Sequence, residues 1–282
     1  MAFNRQLTVK VGFENEGVLI SDLNIDFKIE RSIDFSANSC SLKIYNPSDE
    51  TKEEFLKKGA SVVVSAGYED EGSGVIYVGQ ITKSAAYKEG ANKVVELTAG
   101  SIQDANRDLA YVTVSLSYKR DISVATPLKD IATAIGLTTY GFDTAKNITL
   151  SNGFSFAGSA KAALSVCKDI LIANGLDLFI DNTTILVFER LTADSRFSTV
   201  YLTPSNGLIG TAKLTDSNKA GDPEEEFPTR VSFKALLNPQ INPNGIVVID
   251  ESTVNGTFIM EKVLFEGNNY GGEFTVSGEG VA

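Results

Sequence analysis

"LNIDFKIER", Leu23–Arg31, sets an apolar residue at every second position, Leu23, Ile25, Phe27 and Ile29, with Asn24, Asp26, Lys28 and Glu30 between them. A period of two puts the apolar set on one face of an extended chain and the polar set on the other, which is the pattern of a half-buried β-strand. The same alternation runs outward through "SCSLKIYN" (39–46), "ASVVVSAGY" (60–68), "GVIYVGQITKSAAY" (74–87) and "NKVVELTAG" (92–100), punctuated by Gly, Asn and Ser. So many short strands in succession predict a barrel or sandwich over residues 1–118. One helix interrupts it at "SDETKEEFLKKG" (48–59), with Ser48 as N-cap, Asp49 and Glu50 in the first turn, Lys57 and Lys58 in the last, and Gly59 as the stop.

The period changes near Asp121. "TPLKDIATAIGL" (126–137) predicts a helix capped by Thr126, with Pro127 at its first position, Leu128, Ile131 and Ile135 on one face, and Gly136 ending it. "SAKAALSVCKDILIANG" (159–175) predicts a second, with Leu164, Cys167 and Leu171 on one stripe and Gly175 as its stop. "LDLFIDNTTILVFE" (176–189) reads as a hairpin turning at Asp181 and Asn182. Strand alternation returns after Ser195, from "VYLTP" (200–204) to "GGEFTVSGEGV" (271–281). The expected organisation is a first β domain over 1–118, a small α+β module over 119–195 and a second β domain over 196–282.

The chain has 282 residues, 25 Lys and Arg against 36 Asp and Glu, and no His or Trp. Without histidine the Ser/His and Cys/His nucleophile pairs and the usual zinc ligand sets are absent, so the composition points away from most enzyme classes and from a bound cofactor or metal. A formal net charge of −11 disfavours a surface that grips nucleic acid. Cys40 and Cys167 stand apart with no CxxC, and read as two buried small hydrophobes. No signal-peptide pattern opens the chain and no apolar run is long enough to span a membrane, so a soluble protein without a membrane anchor is expected.

Three stretches stand out as candidate sites. "ALLNPQINPNGIVVID" (235–250) packs two Asn/Pro marks and a free glycine between strands, and its turn residues Asn238, Pro239, Gln240, Asn242, Pro243, Asn244 and Gly245 are candidates for an interface rim. "EGNNYGGEF" (266–274) sets Asn269 and Tyr270 in a turn where no core role calls for a large ring. "DSNKAGDPEEEFP" (216–228) carries three successive carboxylates, Glu224, Glu225 and Glu226. Paired carboxylates are what glycoside hydrolysis requires, but adjacent like charges in a polar, Pro/Gly-punctuated segment read first as a solvated loop that could also contact a partner.

The order of these pieces resembles bacteriophage baseplate hub proteins. The carriers are "SANSCSLKIYNPSDETKEEFLKKGASVVVSAGYEDEGSGVIYVGQI" (36–81) with its Tyr-Asn-Pro, short helix and Ala-Gly-Tyr, the two helices with the "FIDNTTILV" hairpin, then Leu236, Leu237, Asn238 and Pro239 followed by "GTFIMEKVLFEGNNYGGEF" (256–274). The chain departs from that family at Phe265, where relatives commonly show histidine, and in the length of 216–228. The resemblance implies a mainly β protein with an α+β module and two tube-type antiparallel β-barrels in one chain. It further implies a homotrimer that joins the hexameric tail tube protein to a trimeric spike protein, seeds the tube and touches other baseplate proteins. DNA would pass through its lumen without specific binding, and the excess of acid would serve there by repelling the polymer. Such a protein is not an enzyme and belongs to the tail baseplate of a virion assembled in the host cytoplasm. The competing readings are a tail tube or distal tail protein, which would carry one barrel per chain, and a carbohydrate-binding or cleaving tail module, which would need a groove with a rigid acid pair or exposed aromatics.

Overall fold

The computed structural model describes residues 4–13, 16–33, 38–55, 59–100, 112–181, 184–190, 192–193, 196–215 and 229–282. The first region holds β1 (Arg5–Phe13), β2 (Glu16–Ile20), β3 (Ile25–Ser32), β4 (Ser39–Tyr45), α1 (Asp49–Phe55), β5 (Ser61–Tyr68), β6 (Gly72–Glu89) and β7 (Asn92–Gly100). Then follow β8 (Thr113–Tyr118), β9 (Ile122–Ser123), α2 (Ala125–Ile135), β10 (Thr138–Tyr140), α3 (Phe142–Ala145), β11 (Thr149–Leu150), β12 (Phe154–Ser159), α4 (Ala160–Ile172), β13 (Leu176–Asp181) and β14 (Thr184–Glu189). The last region holds β15 (Val200–Leu202), β16 (Leu208–Thr215), β17 (Arg230–Leu236), β18 (Ile246–Asp250), β19 (Asn255–Asn268) and β20 (Phe274–Val281).

The protein is mainly β, and its first and last regions share one 13-stranded sheet in the order β16-β17-β20-β19-β3-β4-β7-β6-β5-β1-β2, with β15 and β18 attached through β19. The join is antiparallel pairing of β3 with β19, Ile29 opposite Phe265 and Phe27 opposite Gly267. The alternation of Leu23–Arg31 is realised there: Ile25, Phe27 and Ile29 are buried and Lys28 is exposed. Their cross-strand neighbours Leu42, Ile44 and Phe265 lie in the same core, which also takes Val231, Phe233, Val263 and Val276 from the last region. No closed barrel is present among the described residues. Each β region has instead one long strand that changes partner at a register shift: β6 pairs β5 up to Gln80 and β7 from there on, with the shift between Ile81 and Lys83. Likewise β19 pairs β18 up to Ile259 and β20 from there on, with the shift between Met260 and Lys262. Such shifts bend a strand and let one sheet turn a corner.

The α+β module has a core of its own, built from Leu128, Ile131 and Ile135 of α2, Leu164, Cys167 and Leu171 of α4, and Leu178, Ile180, Ile185 and Val187 of the hairpin. Both cysteines are free and buried. Ser159 caps α4, its hydroxyl accepting from Ala162 N at 3.3 Å, and Ser48 caps α1, its hydroxyl accepting from Thr51 N at 3.1 Å. Gly136 ends α2 in the left-handed region at φ 71, and after α4 the chain turns at Gly175, φ 76. Lys57 and Lys58 lie outside the described residues.

Two local expectations are corrected. Helix α2 starts at Ala125, with Val124 in the cap position and no side-chain cap, so Thr126 is already inside the first turn. Pro127 is tolerated there because the first turn leaves its N–H groups without intrahelical partners, and Ser123 Oγ takes the Ala125 N–H at 3.2 Å. Asp181 pairs with Thr184 and is the last residue of β13, so it is a strand residue and not a turn residue; Asn182 lies outside the described residues.

Candidate functional site

The 235–250 segment leaves the sheet at Leu236 and makes two turns in succession. Asn238 Oδ1 accepts from Gln240 N at 2.9 Å, and Asn238 O accepts from Ile241 N at 3.2 Å, closing the first. In the second, Asn244 takes φ 61, its N–H donates to Met260 O at 2.7 Å, and Gly245 N donates to Asn242 O at 3.0 Å. Because β19 satisfies this turn, Asn242, Pro243, Asn244 and Gly245 are buried. They do not form part of a surface rim on the single chain; Asn238 and Pro239 are half-buried and Gln240 is exposed.

What the buried turn holds is Arg31. The alternation of β3 puts this residue on the same face as Ile25, Phe27 and Ile29, and it is 4% exposed. A charge in that position needs partners, since an unpaired buried ion is costly. Arg31 Nη1 donates to Asn242 Oδ1 at 2.6 Å and reaches Ile76 O at 3.5 Å, and Nη2 donates to Asp181 Oδ1 at 2.9 Å. Asn242 is itself oriented by donating from Nδ2 to Gln240 O at 2.9 Å. One guanidinium therefore joins the first β region, the last β region and the tip of β13. Sequence reading missed it, although an arginine in the apolar phase of a strand was a visible signal.

On the surface above this junction, Asn238, Pro239 and Gln240 line a groove with Gly74, Val75 and Phe197. Pro239 packs so near Gly74 that a Cβ there would stand 3.1 Å from it. The adjoining groove brings Tyr201, Ile209 and Leu236 together, all exposed, beside β16.

The Tyr270 turn is held from several sides. Asn268 Oδ1 accepts from Tyr270 N at 2.7 Å and Gly271 N at 3.2 Å, while its Nδ2 donates to Asp26 Oδ1 at 2.7 Å. Asn269 acts like one more strand residue, accepting from Ile25 N at 2.9 Å and donating to Leu23 O at 2.8 Å. Arg5 donates to Asn268 O at 2.7 Å and Gly272 O at 2.6 Å, and its guanidinium lies 5.2 Å from the centre of the Phe274 ring. Tyr270 is 67% exposed yet anchored, its hydroxyl donating to Asp22 O at 2.8 Å. A large ring on a turn this well braced loses little freedom on contact with a partner.

The face of the shared sheet opposite the core is polar across both β regions, and its charges are matched across the register: Lys28 opposite Glu266, Asp26 opposite Lys43, Lys43 opposite Glu96, and Lys262 opposite Glu279. Lys262 also meets Glu30 at 2.6 Å, and Lys234 meets Glu273 at 2.9 Å. At one end of this run β16 pairs only with β17; at the other, the outer half of β6 pairs only with β7 among the described residues. Glu224, Glu225 and Glu226 lie outside the described residues. Among the described residues no cluster of three or more Asp, Glu or Cys could hold a metal ion. The thiols are not activated: burial pushes Cys167 up to about 12 and Cys40 higher still.

The family model described as "Baseplate hub gp41" matches residues 6–280. No curated protein matches the sequence. Among solved structures, the chain is similar to a tail protein from Neisseria meningitidis MC58 at 12% identity and a TM-score of 0.67, covering 99% of this chain and 97% of that one. It is similar to the 43 kDa tail protein of prophage MuSo2 from Shewanella oneidensis at 10% identity and a TM-score of 0.66, covering 99% and 98%. It is also similar to the E. coli c3393 protein, described as a component of the type VI secretion system with structural similarity to the T4 bacteriophage tail proteins gp27 and gp5. That match has 8% identity and a TM-score of 0.60, covering 97% and 76%.

Proposed function

The chain belongs to the baseplate hub gp41 family, and from that premise we propose that it is a trimeric adaptor joining the tail tube to the spike, with a lumen through which DNA passes. The family makes it a structural component of the phage tail baseplate. The observation that carries the finer reading is the run of strands from β16 to β6. It is antiparallel throughout, has an even number of strands and, among the described residues, ends in β16 on one side and the outer half of β6 on the other, neither with a second partner strand. Its two ends therefore run in opposite directions. When copies are related by rotation about an axis along the strands, the β16 edge of one meets the outer half of β6 of the next in antiparallel register, and the contact repeats until the ring closes. Unpaired edges otherwise invite uncontrolled pairing, which ring closure removes.

On this reading each β region, with its own corner strand, is one tube-type unit, so three chains present a quasi-sixfold ring. The polar face of the sheet would line the lumen. Its lysines are matched with carboxylates across the register, so a polyanion would find few free cations to hold it, and this replaces simple acid repulsion as the account of the wall. The Tyr270 turn and the groove at Asn238–Gln240 are the surfaces we assign to tube, spike or other baseplate proteins.

The test is immunogold labelling of particles from an induced culture. Label at the tail tip supports the adaptor; label along the tube would make the chain a tube protein, and particles without label would end the reading.

A further inference from the structure

The α+β module and the β body have separate cores that share no buried residue, so their relative orientation depends on the seam between them. On the hairpin, Leu178 and Ile180 face α4 and belong to the module's core. The opposite face carries Phe179 and Leu186, buried to 1% and 2% exposure yet outside that core, and Phe179 packs edge-on against Phe188 with ring centres 5.4 Å apart. Asp181 lies on this same face, two residues beyond Phe179. This face, apolar at Phe179 and Leu186 and ending in the Arg31–Asp181 ion pair, is the side of the module that meets the β body at Arg31. Apolar contact is non-directional and would tolerate several orientations; a planar guanidinium with Nη1 committed to Asn242 and Nη2 to Asp181 accepts one.

We propose that Arg31 is a pin that sets the orientation of the α+β module on the β body, and that the Arg31–Asp181 bond is where it releases, freeing the module as a folded unit. The asymmetry of the junction decides where it opens. Arg31 is the more buried partner, 5% against 13% for Asp181 by side-chain exposure, and keeps Asn242 and Ile76 O when the carboxylate leaves. Asp181 gains water on leaving. Arg196, whose guanidinium lies 4.8 Å from the centre of the exposed Tyr140 ring, makes a second contact where the chain returns to the body, and it leaves the pivot in place. The proposal does not depend on the baseplate reading and stands or falls without it.

The chain contains no tryptophan, so Phe188→Trp in the full-length protein supplies a single reporter on the seam. Acrylamide quenching of that reporter is compared with and without Asp181→Asn, alongside hydrogen exchange of α4. Quenching that rises several-fold while α4 keeps its protection, with Asp181→Glu restoring part of the difference, is the expected result. Unchanged quenching, or loss of α4 protection together with it, would overturn the pin. If the reporter variant does not fold, hydroxyl-radical footprinting of Phe179 and Phe188 on Asp181→Asn alone decides: their oxidation should rise several-fold while hydrogen exchange over β13, β14 and α4 stays as in the parent, and oxidation as low as in the parent, or faster exchange in those segments, refutes it.

Discussion

Asn244 and Tyr45 show how single residues set conditions on the fold. Asn244 is 2% exposed at φ 61, a conformation asparagine tolerates and β-branched residues resist. Asn244→Val should lower stability by roughly 1–3 kcal/mol, read as a lower urea midpoint with unchanged m, whereas Asn244→Gly should cost less. Equal losses would mean that the side chain and not the backbone matters. Tyr45 donates to Asp26 Oδ2 at 2.8 Å, and this bond, with burial second, pushes its phenol from the ordinary 10.0 up to about 12. The folded chain keeps a proton that the unfolded chain has already lost. The stabilisation is therefore complete below about pH 10 and lost as pH rises through about 12. Tyr45→Phe should flatten the fall in urea midpoint across that window; a fall of the parent's steepness would show that other groups govern it.

At the scale of elements, β20 is legible as a strand but its glycines are not legible as packing. A Cβ on Gly278 would stand 2.5 Å from the Phe233 ring and 3.2 Å from the Met260 sulfur, so the neighbouring strands fill the space a side chain would take. Gly278→Ala should cost about 1–3 kcal/mol in chemical denaturation, and a variant as stable as the parent would show that Phe233 moves aside freely. Helices α2 and α4 were readable in place and face, because Leu128, Ile131 and Ile135 in one and Leu164, Cys167 and Leu171 in the other recur at helical spacing and are all buried, whereas the short α3 was not read. The start of α2 was not readable. Thr126 and Pro127 satisfy the rules of a helix start, but one turn of chain can enter a helix a residue or two earlier when Ser123 supplies the acceptor.

For the whole molecule, the edges that lack a second partner among the described residues make a prediction about the proposed assembly. Ile209 and Leu214 on β16 are 40% and 47% exposed, so replacing both with lysine should alter the monomer's stability by no more than about 0.5 kcal/mol each. If the proposed trimer closes through the β16 edge, the same double variant, Ile209→Lys with Leu214→Lys, should shift the protein to monomer by native mass spectrometry or light scattering. A trimer that persists would move the interface away from the β16 edge.

The sequence alone determined the secondary structure over most of the chain and the β, α+β, β order of its pattern, because periods of two and 3.6 are local properties of which face each side chain takes. The order of pieces also carried the family resemblance. Only the tertiary structure decided that β3 and β19, more than two hundred residues apart, join both β regions in one sheet, and that the 238–245 turn is held inward around a buried arginine. Periodicity says which side of a strand is apolar; it carries no term for which distant strand pairs with it. Arg31 shows the limit most plainly. Its phase in "LNIDFKIER" placed a charge on the core face, and what made that tolerable, Asn242 and Asp181, lies in two other parts of the chain that only folding brings within 3 Å.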